Sequence, residues 1–222
     1  MTVRASTTAK MRKPDPTLEF EEALWKQGIL FAAGIDEAGR GAWAGPVTAG
    51  AVILPADPQV LSDLAGVRDS KLMTPAEREK MLDAIQTRAA AWAVGEADNT
   101  EIDRIGILNA TKMAMKRAID GLSIRPQHLL IDYVRLHDVP IPQQGIKHGD
   151  QLSLSIACAS VIAKVTRDRC MGTVAAAQYP EYAFEQHKGY GTKKHQEALK
   201  QYGPCPLHRM SFHPLAKEET LF

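Results

Sequence analysis

Apolar and polar positions along this chain switch between a helical rhythm and a strand-like one. Leu18, Glu21, Glu22 and Trp25 fall at helical spacing and predict a short helix over 18–25. Ala32 to Asp36 reads as a short apolar strand. Val47 to Leu54, rich in Val, Ala and Ile, reads as a second, broken by Pro55 and Pro58. Thr74-Pro75-Ala76-Glu77 has the chemistry of a helix start: a capping hydroxyl, a proline suited to the first turn, and a glutamate that reaches back. Met81, Leu82 and Ile85 supply that helix with its apolar stripe. Trp92 to Ala97 predicts a strand, and Ile102 to Ile119 one longer helix marked by Ile105, Leu108, Met113, Met115 and Ile119. Leu129-Leu130-Ile131 predicts a buried strand ending at Asp132. Leu154 to Ala177 reads as a long Ala-rich helix packed through Ile156, Cys158, Ala159, Ile162 and Ala163, and ended by Tyr179-Pro180. A last helix over 193–201 has Thr192 as its cap and Gly203-Pro204 as its stop. Interleaved strands and helices define the α/β class with a mixed sheet. The closeness of the early strands in sequence predicts antiparallel pairing through tight turns, with later strands entering after helices.

A chain of 222 residues, 45% of them apolar, can build one sizeable core. No run approaches the roughly 20 apolar residues of a membrane span. Residues 1–13 are polar and basic, without the apolar stretch of a signal peptide, so 1–16 is expected to be a disordered lead-in stopped by Pro14 and Pro16. Cys158, Cys170 and Cys205 are too few and too far apart for a disulfide framework or a metal pair, and read as reduced cytosolic thiols. Net charge is only +1, but residues 188–217 carry Lys188, Lys193, Lys194, Lys200, Arg209 and Lys217 against one acid, Glu197. That local positive field suits a phosphate-bearing partner, and also an ordinary solvated surface.

The chemistry concentrates at Gly34-Ile35-Asp36-Glu37-Ala38-Gly39-Arg40-Gly41, where an apolar strand runs into two carboxylates, glycines and an arginine. Asp132 also closes an apolar run, and Asp150 precedes the long helix, which it could cap. If Asp36, Glu37, Asp132 and Asp150 converge, they offer the oxygen donors that magnesium or manganese takes in phosphoryl transfer. Adjacent strand residues face opposite ways, so Glu37 joins Asp36 only if the strand is already turning there. Gly39-Arg40-Gly41 could let a nucleic-acid backbone approach closely, with Arg40 forked onto a phosphate. Ser70 and Lys71, in a loop before a capped helix, could contact another phosphate. Lys188 and Tyr190, in His187-Lys188-Gly189-Tyr190-Gly191-Thr192, could neutralise phosphate and pack on a sugar or base. His187 and His195 are eight apart, share no helical face, and lack a third ligand for zinc. G-x-S-x-G, P-loop and G-x-G-x-x-G patterns are all missing, so neither a serine nucleophile nor a nucleotide cofactor is indicated.

Over about residues 30 to 214 the chain resembles bacterial ribonuclease HII, the type 2 ribonucleases H. The likeness rests on 34–41, Asp69-Ser70-Lys71, Leu130-Ile131-Asp132, Gly149-Asp150, Ile156 to Asp168, 187–192, and His208-Arg209-Met210-Ser211-Phe212. It implies an RNase H-like mixed five-stranded sheet flanked by helices, with a catalytic core over 17–185 and a small C-terminal helical, substrate-binding region over 186–222. It implies hydrolysis of RNA in RNA–DNA hybrids and incision 5′ to ribonucleotides embedded in duplex DNA, leaving 3′-OH and 5′-phosphate. It further implies that Asp36, Glu37, Asp132 and Asp150 are the metal-binding acids, for two Mg2+ or Mn2+ ions with substrate bound. Gly39, Arg40 and Gly41 would then read the 2′-OH, Lys71 contact phosphate, and Tyr190 pack near a DNA sugar. A cytoplasmic monomer is expected. No sliding-clamp peptide is legible at the tail ending Leu221-Phe222. The chain departs from the family pattern at Tyr133, where glycine is common, and at Gln151-Leu152, where many members carry a small residue and a lysine. Two rivals are another metal-dependent DNA nuclease on the same fold and a non-catalytic nucleic-acid-binding module.

Overall fold

Strand β1 (Ala32–Ala38) is the middle of a five-stranded sheet. On one side β2 (Val47–Ile53) and β3 (Ala91–Ala97) extend it antiparallel. On the other, β4 (His128–Asp132) and β5 (Gln143–Ile146) run parallel to it. The order is therefore β3-β2-β1-β4-β5 in this computed structural model, which describes residues 15–216. The helices are α1 (Glu19–Trp25), α2 (Val60–Asp63), α3 (Pro75–Arg88), α4 (Asn99–Ile105), α5 (Ile107–Asp120), α6 (Leu154–Cys170), α7 (Ala176–Gln178), α8 (Phe184–His187) and α9 (Lys193–Tyr202).

The sheet is covered on both faces, which is why β2 is buried along its whole length. Its period of two still shows. Ala49, Ala51 and Ile53 join Met115, Ala118 and Ile131 in the core under α5, whereas Val52 and Leu54 join Leu82, Ile85, Ala157 and Ile162 under α3 and α6. A smaller cluster of Ala44, Met171, Tyr182, Phe184 and Ala198 lies under the C-terminal helices. Among the described residues no helix is long and apolar enough to cross a membrane.

Several expectations need correction. The helix expected over 102–119 is two helices, α4 and α5. Gly106, at φ +77°, breaks the path between them, and Asp98 and Glu101 form a capping box that starts the first one earlier. Leu108, read as a core marker, is exposed. The β2–β3 pair is antiparallel, but α2 and α3 fill the connection, so no tight turn joins them. The long helix after residue 154 widens into a π-turn over Met171–Ala175 before α7. β5 was not foreseen: Gln143-Gln144-Gly145-Ile146 buries only Ile146, and edge pairing to β4 rests on its backbone. The predicted lead-in falls outside the described residues except Asp15 and Pro16, and Pro16 is buried.

Candidate active site

Parallel pairing of β1 with β4 sets Ile35 beside Ile131, so Asp36 and Asp132 leave neighbouring strands at the same end of the sheet. β1 does not turn at the acid pair. It stays paired through Ala38, opposite Thr48, and the two adjacent carboxylates are still close enough that Glu37 raises Asp36. Asp36 is buried on the α6 side, where the Ser160 hydroxyl bonds it. Glu37 instead accepts a hydrogen bond from Arg40 Nη1 at 3.2 Å. Asp132 Oδ1 accepts from the Gly149 N–H at 2.8 Å, which draws the Asp150 turn toward the end of β4.

Asp150 is buried in a single 3₁₀ turn over Gly149–Gln151 and does not cap α6. The cap is Ser153, whose side chain accepts from the Ile156 N–H. Glu21 of α1 reinforces it: its Oε1 accepts from the Ser153 hydroxyl at 2.6 Å and the Ser155 N–H at 2.9 Å. The helix end is thus satisfied by other groups, and the Asp150 carboxylate lies near Asp69 and Asp132. Among the described residues its cationic neighbour at ion-pair range is Lys71, with Nζ 4.0 Å from Oδ2.

The electrostatics are those of a cluster short of positive charge. Burial, then repulsion from Glu37 and Asp132, holds the Asp36 carboxyl well above the usual range. Burial raises Glu37 against the pull of Arg40. Burial, with Asp69 and Asp132 nearby, pushes Asp150 up to about 6. Lys71 loses charge preference to burial, but Asp36, Asp150, Asp69 and Asp132 more than offset this and raise it. Glu37 Oε2 is buried without a hydrogen-bond partner, which is costly for a carboxylate oxygen in a protein interior. The donors are all hard oxygens, the kind divalent magnesium and manganese prefer. Among the described residues, however, no three or more His, Cys, Asp or Glu side chains stand in ligating arrangement. The acids are neighbours at one end of the sheet, with Asp132 acting on both Asp36 and Glu37.

A cavity of about 720 Å³ opens beside them, lined by Glu37, Gly39, Arg40, Gly41, Ser70, Lys71, Lys164, Tyr190 and Phe212. The structure thus brings the predicted contact residues to one place, save Lys188. Lys188 lines the adjoining groove of about 540 Å³, shared through Lys164 and Tyr190. Ser70 is at the cavity, but its hydroxyl is buried and bonded to Ser160 Oγ at 2.9 Å.

Asp69, Arg167 and Arg209, which the sequence reading placed in motifs without a role in substrate binding, also build this site. Asp69 is buried, accepts from Lys71 N–H at 3.0 Å, and acts on Asp150. Its place in the Asp69-Ser70-Lys71 run was the available signal. Arg167 and Arg209 are fully buried and satisfied by carbonyls. Arg167 donates to Pro46, Ala44 and Lys188, and Arg209 to Gly45, Pro46 and Arg40. The two guanidiniums pin the 39–46 loop from beneath. Arg167 sits seven residues after Ser160 on the buried stripe of α6, which would have marked it as inward-facing.

A mixed sheet in this order, with acids at the ends of β1 and β4 and a basic, glycine-lined cavity beside them, defines a nuclease of the ribonuclease H-like class. The crystal structure of ribonuclease H2 from Pyrococcus horikoshii superposes with a TM-score of 0.62 at 27% identity, covering 83% of this chain and 94% of that one. The family model described as Ribonuclease HII matches residues 33–215, and the chain belongs to that family. It is 53% identical over 196 residues to a Ribonuclease HII of Dehalococcoides mccartyi, covering 88% of this chain and 92% of the relative. It is 51% identical over 209 residues to one of Roseiflexus castenholzii, covering 92% of each. It is accordingly a type 2 ribonuclease H, an enzyme that hydrolyses the RNA of RNA–DNA hybrids and of ribonucleotide-containing DNA.

Proposed function

We propose that Asp36, Glu37, Asp132 and Asp150 are the catalytic, metal-binding acids, and that the enzyme incises 5′ to a ribonucleotide embedded in duplex DNA. The observation that carries this is the charge deficit: burial with Glu37 and Asp132 raises Asp36, burial with Asp69 and Asp132 raises Asp150, and Glu37 Oε2 is buried without a partner. Bound Mg2+ or Mn2+, two ions in the substrate complex, would supply Lewis acidity and a more acidic water at the scissile phosphate. The chain's own groups do the rest. Lys71 neutralises a phosphate oxygen from the rim. Arg40, now on Glu37, exchanges that carboxylate for a phosphate. Gly39 and Gly41 present backbone to the ribose 2′-OH, which holds register and is not the nucleophile. Ser70 contributes through its backbone at the cavity wall. Lys188 and Tyr190, in the C-terminal region 186–222, take the adjoining DNA strand. The products are then 3′-OH and 5′-phosphate ends. The enzyme works as a cytoplasmic monomer in this reading.

The test is a matched panel: a DNA duplex with one ribonucleotide, a long hybrid, and pure DNA, each with and without magnesium. Magnesium-dependent cutting of the first two, with 5′-phosphate ends, is expected. Equal cutting of pure DNA, or 2′,3′-cyclic phosphate as the main product, sinks the proposal.

A further inference from the structure

Behind the Tyr190 loop lie three buried histidines that the proposed chemistry does not use: His187, His195 and His208. His187 and His195 stack with centroids 4.5 Å apart and planes 12° from parallel. Tyr182 and Phe184 pack around His195 and His208, and Trp43 packs on His195. Every ring nitrogen of the three is engaged. His208 Nδ1 accepts from the Cys205 N–H at 2.9 Å, which leaves its Nε2–H to donate across 2.9 Å to His195 Nε2. His195 Nδ1–H then donates to the Tyr190 carbonyl at 3.0 Å. His187 Nε2–H donates to the Tyr182 carbonyl at 2.8 Å, and its Nδ1 accepts from the Gly189 N–H at 3.2 Å. One tautomer of each neutral ring satisfies these five bonds, with His208 Nδ1 also 3.2 Å from the Cys205 carbonyl, and the chain of donors ends on Tyr190.

The Tyr190 carbonyl also accepts from the Thr192 N–H at 2.8 Å, and the Tyr190 N–H donates to the His187 carbonyl at 2.9 Å. The tyrosine ring lies under Lys164 Nζ and Arg167 Cζ, at 5.4 and 5.3 Å from the centroid, and faces the cavity. The loop leaves the left-handed residues Lys188 and Gly189, at φ +52° and +83°, whose carbonyls are held by Arg167 and the Trp43 N–H, and His195 is the side-chain donor to the next carbonyl, that of Tyr190. We infer that His195, oriented by His208, is a positioning residue that sets the Tyr190 ring for the nucleic-acid strand. This rests on Tyr190 being a substrate contact.

Steady-state kinetics of the full chain with magnesium, on a duplex carrying one ribonucleotide, test it. Asparagine at 195 can place an amide N–H where Nδ1–H stands. Glutamine places its amide near Nε2, keeping His208 and losing Tyr190. His195→Gln should raise KM roughly fivefold, about the worth of one hydrogen bond, with kcat little changed. His195→Asn should recover most of that loss. In a Tyr190→Ala background the His195→Gln effect should vanish. If His195→Gln does not fold, His208→Asn carries the same cycle, since it keeps the Cys205 bond and drops only the one to His195. A normal KM for Tyr190→Ala removes the substrate-contact reading and this inference together. A raised KM for Tyr190→Ala with a normal one for the folded histidine variant overturns the inference alone, as does a histidine effect that persists without the tyrosine.

Discussion

Gly39 packs directly on the guanidinium of Arg167: a β-carbon on Gly39 would lie 2.0 Å from Arg167 Nε. The arginine cannot withdraw, because its three nitrogens are bonded to the carbonyls of Pro46, Lys188 and Ala44. Gly39 is also at φ +92°. Gly41, two residues on, has nothing within 4 Å of the same position. Gly39→Ala should therefore destabilise the fold by about 2–4 kcal/mol, through overpacking and backbone strain. Gly41→Ala should leave stability within about 0.5 kcal/mol and weaken only incision at a single ribonucleotide. Denaturant melts beside cleavage assays separate the two, and equal stability losses would contradict this geometry.

Asp36→Asn removes one negative charge from a buried cluster that repels itself. Turnover should be nearly abolished while hybrid affinity is largely kept. Without divalent metal the variant should melt no lower than the parent. Magnesium at about ten times its dissociation constant should stabilise the parent by about 1.4 kcal/mol, and the variant by less. An unchanged magnesium increment would exclude Asp36 as a ligand.

Tyr133 holds φ +62° and is 73% exposed, so it bears the strain of a left-handed side chain with little packing in return. This is the position where the family pattern favours glycine. Tyr133→Asn should stabilise by about 0.5–1 kcal/mol, since asparagine tolerates that conformation. Tyr133→Gly should gain less, because glycine also loosens the unfolded chain. A loss of stability in the asparagine variant would mean that the ring packs more than its exposure indicates.

Acid should attack the histidine stack. Burial brings His195 down to about 4 and lowers His187 and His208. Between about 4 and the ordinary histidine value of 6.5 the unfolded chain binds more protons than the folded one, so stability falls as pH falls through that window. Asp150, raised to about 6, works in the opposite direction, and stability lost to it grows as pH rises. The useful quantity is the difference between parent and His195→Asn melts across pH. The parent should lose more stability on going from neutral to acid, and parallel profiles would refute the assignment.

The strand acids were legible because apolar runs that end in a carboxylate mark strand ends, and β1 and β4 lie close to where that pattern places them. The α3 start was legible too, as Thr74 and Glu77 form the capping box their spacing predicts. What stayed hidden depends on contacts remote in sequence. Nothing local shows that Glu21 reaches Ser153, that His195 meets His208, or that Arg167 and Arg209 end beneath one loop. β5 escaped because its pairing is carried by backbone and its side chains have no strand-like alternation. The break at Gly106 escaped because the apolar stripe continues on both sides of it.

The tie between Glu21 and the start of α6 also sets how short the polypeptide can be made. Thr17 exchanges backbone hydrogen bonds with Leu152 and Leu154, and Glu21 closes over Ser153 and Ser155, so this leading stretch works as a buckle on the turn that carries Asp150. Trimming that begins downstream of residue 21 would leave the five strands intact while unfastening the loop nearest the chemistry. A protein shortened in that way would keep its shape by spectroscopy and still fail as a catalyst.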